Sequence, residues 1–108
     1  MAMMHVSYAA VLLAASLALT SARDVVVINT GNDAIFALRV GDAQAARWSD
    51  DLLGFAGVID VSRGRTVALP VDRRHCLGDV EATFRGGATV VVRNVNLCRV
   101  QHLAIGNR

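Results

Sequence analysis

Between Cys76 and Cys98 the chain reads CLGDVEATFRGGATVVVRNVNLC, and this stretch constrains the fold more than any other. Two runs of strand-forming residues flank a Gly86-Gly87 turn, and a cysteine stands at each outer end. The pattern predicts a β-hairpin whose open end is tied by a disulfide. Val80, Ala82 and Phe84 alternate with Glu81, Thr83 and Arg85, which marks a half-buried strand. On the return run Val90 and Val92 share a face, but the apolar positions then become Val95 and Leu97. That change of parity predicts a β-bulge near Arg93-Asn94.

A bridge between Cys76 and Cys98 requires an oxidising compartment, and the N-terminal sequence supplies a route to one. Residues 6–22, VSYAAVLLAASLALTSA, are apolar and end in small side chains. Such a run is marginal for a membrane-spanning helix, which takes about 20 apolar residues. Thr20 and Ala22 suit the small-residue positions of a signal-peptidase site. We therefore expect a signal peptide over 1–22 and one disulfide-tied β domain over 23–108, periplasmic or secreted, with no stable membrane span once the signal is removed. An uncleaved anchor is the competing reading. No arginine pair precedes the apolar run and no cysteine follows it, so twin-arginine export and a lipoprotein anchor are unsupported.

The 108 residues allow a single small domain with a thin core, in which one bridge matters. Chain entropy values a loop of this size at about 3.4 kcal/mol, against a total stability of about 5–15 kcal/mol. All 11 basic residues are arginine, and nine carboxylates leave a net charge of +2. The arginines are scattered and no aromatic ladder accompanies them. Nucleic-acid binding is therefore not expected.

The region ahead of the hairpin reads as short strands and turns. Asp24–Asn29, DVVVIN, is a β-branched run suited to burial on both faces or nearly so. Thr30–Asp33 is a turn by composition, and Ala34–Val40 resumes as strand with Phe36, Leu38 and Val40 on one face. So short a connection predicts an antiparallel pair. Residues 42–53 lose the period of two, and Ala43–Arg47 predict a short helical segment. Ser49, Asp50 and Asp51 are candidates to cap a turn through Leu52-Leu53 that Gly54 ends. Trp48 is expected to cover an open end of the core with Leu52 and Leu53. Val58–Val61 predicts a short strand. Arg65–Val71 predicts an edge strand with Val67, Leu69 and Val71 inward, because Pro70 lacks an amide hydrogen. Arg99–Ile105 is expected to be a last strand, followed by a frayed tail. Six or seven short strands with at most one helical turn predict an all-β fold: a small antiparallel β-sandwich, Ig-like in architecture or a partly open barrel.

WSDDLLG (Trp48–Gly54) and VNLC (Val95–Cys98), with INTGNDAIFALRV before them, resemble a group of small exported bacterial proteins. These carry a W-x-x-D-L-L-G-like motif after an initial strand-turn-strand, then a cysteine and a terminal N-L-C-x-V segment. They are often labelled Tat-pathway signal proteins, although the signal here departs from the twin-arginine form. The resemblance spans most of the chain after Ala22. It implies export and a β-rich fold, and assigns no activity.

Candidate chemistry is sparse. A nucleophilic Cys76 would need a base on its own side, whereas His75 points to the opposite face of an extended chain, and pairing with Cys98 consumes the thiol. Asp50 and Asp51, with Asp33 or Asp79, contain enough oxygen for calcium, but their spacing matches no calcium loop and capping explains the pair equally. His75 and His102 are too few for structural zinc. Nothing calls for a metal, a cofactor or a catalytic residue. The possible ligand or cap site is Trp48, Asp50 and Asp51. The arginines at Arg63-Gly64-Arg65 and Arg73-Arg74 suit either an anionic glycan or lipid surface or plain solvated loop tips. The leading expectation is a non-catalytic binding or envelope-associated module with a protein or glycan partner. The alternatives are a small metal-dependent or carboxylate-based hydrolase and an inhibitor-like secreted protein.

Overall fold

The run Val25-Val26-Val27-Ile28 becomes the middle strand of a sheet, which is what a continuous β-branched stretch is built for. The computed structural model describes residues 20–42 and 47–107. Six strands follow in order: β1 (Thr20–Asn29), β2 (Ile35–Asp42), β3 (Gly64–Asp72), β4 (Leu77–Phe84), β5 (Thr89–Asn96) and β6 (His102–Ile105). They form two three-stranded sheets, β3-β1-β6 and β2-β4-β5. Val25, Val27, Val67, Leu69 and Ile105 of the first pack on Ile35, Leu38, Val80, Ala82 and Phe84 of the second. The architecture is an all-β small sandwich. Every pairing is antiparallel except β1 with β6, which is parallel.

The expected pairing of β1 with β2 does not form. The chain crosses from one sheet to the other at Thr30–Ala34, so the two strands face each other through their side chains. The cause is Asn29, whose side chain is fully buried in the crossing. Its Nδ2 donates to the Asp33 and Ile59 carbonyls (2.7 and 3.0 Å), and its Oδ1 accepts the Gly31 amide (2.8 Å). These bonds hold an arch where a hairpin would need a ladder. Asp33 extends the arch by accepting the Gly86 amide at 2.5 Å, which ties it to the β4–β5 turn.

Phe36 does not share the face of Leu38 and Val40 as expected: they are buried and it is 45% exposed. The register shifts between Ile35 and Ala37, so one extra residue bulges out of β2 and the inward set becomes Ile35, Leu38 and Val40. The short strand at Val58–Val61 reduces to a single bridge, Ile59 with Ile35. Among the described residues there is no helix, and residues 43–46 of the expected helical segment lie outside them. The final strand starts later than expected, at His102, because Leu97–Arg99 turn. Asn107 is no frayed end: its Oδ1 accepts the Asn32 amide at 2.9 Å.

The hairpin expectations hold. Val80, Ala82 and Phe84 are fully buried, and Gly87 adopts φ 97° in the turn. One residue of β4 (Asp79, between Gly78 and Val80) faces two of β5 (Arg93 and Asn94, between Val92 and Val95), which places the bulge at Arg93-Asn94. Asn94 takes φ 56° there. In β3, Val67, Leu69 and Val71 are buried and Pro70 lies on an edge strand.

Candidate functional site

Cys76 and Cys98 are joined, with their α-carbons 5.2 Å apart, just outside the first residue of β4 and the last of β5. Among the described residues no cysteine is free, so no thiol stands beside His75. The residues flanking the bridge, His75, Leu77 and Leu97, form part of a cleft at this end of the sandwich. Val40, Gly41 and Asp42 from the end of β2 and Pro70, Val71 and Asp72 from the end of β3 complete much of its wall. The two sheets part here to leave about 220 Å³. Val40, Val71 and Leu97 make a buried apolar floor, and Leu77 is 55% exposed at the mouth.

The rim is polar. Asp72 accepts the Arg74 amide at 3.0 Å and pairs with the Arg74 Nε at 3.6 Å. The amide bond, followed by the charges of Arg74 and His75, holds the Asp72 carboxyl below the ordinary aspartate range despite some desolvation. The cleft thus keeps a negative charge at its edge down to acid pH. Sequence reasoning saw His75 and Leu97 as parts of other features. Only the pairing of β4 with β5, tied at its open end by the bridge, brings them together.

The segment Trp48–Gly54 contains the expected cap, made by Asp51, and also does something the sequence did not suggest. It runs along the outer edge of β2 and satisfies that edge. The Ser49 and Leu52 amides donate to the Val40 and Leu38 carbonyls (2.8 and 2.7 Å). In return the Val40 and Leu38 amides donate to Ser49 Oγ and Asp51 Oδ1, each at 3.0 Å. Asp51 Oδ1 also accepts the Leu53 amide at 3.0 Å, which is a capping bond on the Leu52-Leu53 turn. Gly54 closes that turn at φ 77°. The motif therefore seals a sheet edge that would otherwise offer bare ladder groups. Trp48 does not cover the core. It bridges Gly41 and is 38% exposed, and a Cβ at Gly41 would lie 2.8 Å from its ring. Leu53 alone of the trio is fully in the core, at 4% exposure, with Leu52 packed against it from outside. Asp50 is exposed and borders a shallow groove with Ser21, Ala22, Ala68 and Pro70.

The aspartates do not converge. Asp33 serves the arch and Asp51 the β2 edge. Asp79, only 4% exposed, accepts Arg93 Nη1 and the Asn94 amide, both at 3.0 Å, and so clamps the β5 bulge. Among the described residues no three of His, Cys, Asp and Glu come together to hold a metal ion. Nor is any helix there long and apolar enough to cross a membrane, which says nothing of strands. Two polar residues with structural roles went unmarked in the sequence, Asn29 and Arg23, and Asp79 was weighed there only as a calcium ligand. Arg23 Nη1 donates to the Val100 and Leu97 carbonyls (2.8 and 3.3 Å), pinning the turn after β5 to the central strand. A buried Asn ending a β-branched run was the one visible signal. Comparison with protein-family models, with curated proteins and with solved structures returned no match.

Proposed function

We propose that this chain is an exported, non-catalytic β-sandwich that binds a partner protein through the cleft beside Cys76–Cys98. The observation that carries the reading is the cleft itself. An apolar floor of Val40, Val71 and Leu97 lies under a rim of Asp72 and His75, a form that takes one protruding apolar side chain on a polar partner surface. Two of the carboxylates weighed for chemistry have structural partners, Asp51 on two amides and Asp79 on Arg93 and Asn94. On this reading residues 1–22 serve as the export signal, and the disulfide matches a periplasmic or secreted destination. The resemblance to small exported bacterial proteins supports the same placement and leaves the partner open.

The test is capture from the host's periplasm or culture medium with the wild-type chain and with Leu77→Arg. Residue 77 is exposed, so the variant keeps the core and blocks the mouth. A protein retained by wild type and by Asp50→Ala, and lost with Leu77→Arg, is the expected result. Recovery of the bait alone at every salt concentration counts against the proposal.

A further inference from the structure

At the other end of β3 lies a feature that neither the core nor the cleft uses. Phe55 is fully exposed, at 105%, on a turn closed by the Gly57 amide donating to the Gly54 carbonyl at 3.2 Å. Gly54 and Ala56 on either side of it take φ 77° and 60°. For Ala56 that is a strained, left-handed conformation. Leu53, just before the tip, is buried at 4%, so the chain leaves the core abruptly and presents one phenyl ring to solvent. A Cβ at Gly57 would lie 2.8 Å from Arg65 Nη1, which places a guanidinium against the base of the tip. Arg63 is exposed nearby in sequence, and Val61 adds an apolar surface at 40% exposure. Asp60 is the one carboxylate in residues 54–65, against two arginines.

We propose that this tip docks on an anionic lipid surface, with Phe55 entering the headgroup boundary and Arg63 and Arg65 meeting lipid phosphates. A single aromatic ring inserts among lipid chains without a shaped pocket to receive it. Arginine is weakly hydrated and pairs with phosphate in two-pronged fashion, which suits it to the flank of such an anchor. The proposal is independent of the cleft. It would leave the disulfide end, at the far end of β3, facing away from the membrane.

The readout must be local to the tip, because residues 1–19 are themselves apolar. Trp48 is the only tryptophan. Phe55→Trp in a Trp48→Phe background therefore reports the tip alone, and Phe55→Trp with the Trp48 signal subtracted serves if the double variant misfolds. With vesicles of phosphatidylcholine and phosphatidylglycerol, the emission should shift to the blue and be quenched by brominated lipid. Pure phosphatidylcholine should produce neither change. Arg63→Gln and Arg65→Gln should each lower the lipid-inserted fraction about fivefold at low salt. Unshifted, unquenched emission on anionic vesicles overturns the proposal. So does quenching of equal strength on phosphatidylcholine, or quenching that survives loss of both arginines.

Discussion

Asp51 illustrates how one carboxylate can hold a sheet edge without any ligand. Two amides converge on its Oδ1, one from β2 and one from its own turn. Asp51→Ala leaves both without that acceptor and should cost about 2–3 kcal/mol in urea unfolding. Asp51→Asn keeps a carbonyl acceptor and should cost about 1 kcal/mol, while the exposed Asp50→Ala should stay within about 0.5 kcal/mol. Equal effects at positions 50 and 51 would contradict the edge-sealing role. Asn29 carries more, because it serves two carbonyls and an amide from a fully buried position. Asn29→Ala should lose about 3 kcal/mol. Asn29→Asp should also destabilise, since it exchanges the donor to two carbonyls for an acceptor. Asp72 sets a pH dependence. Its folded pKa lies below the unfolded value, so its contribution is complete above the ordinary aspartate range and is lost as pH falls through the folded pKa. In acid titration followed by circular dichroism, Asp72→Asn should remove that part of the slope by lowering neutral-pH stability while leaving acid stability little changed.

At the scale of elements, legibility followed periodicity. β3, β4 and the β5 bulge could be read because alternation of Val, Leu, Ala and Phe reports directly on which face is buried, and a parity flip reports an inserted residue. The first crossing could not. A four-residue Thr-Gly-Asn-Asp connection has hairpin composition, and only the buried Asn29 amide, bonded to Ile59 far along the chain, turns it into an arch. Phe36 failed for a related reason, since a bulge at its own position shifts the phase that the pattern assumed. The Asp51 cap in Trp48–Gly54 was legible, but the edge-sealing role was not, because backbone groups sealing a neighbour's edge leave no apolar period. The cleft was equally hidden, as its walls come from β2, β3 and both flanks of the disulfide. The β5 bulge offers an element-scale test. Asp79→Ala removes the acceptor for Asn94 and the partner of Arg93, and should cost about 2–4 kcal/mol in urea unfolding. A cost under half of that would mean that Asn94 holds its conformation without the clamp.

Taken whole, the molecule is two thin sheets, a shared core and one covalent tie. Replacing both cysteines with serine should lower stability by about 3 kcal/mol, measured by denaturant unfolding against the oxidised wild type. The native chain should gain the mass of two hydrogens on reduction after unfolding. The topology has a further consequence for the order of assembly. The parallel partner of β1 is β6, reached only after every other strand has been made. The first sheet thus stays incomplete until the last strand is in place. Its closure is a late, long-range event, which favours slow folding.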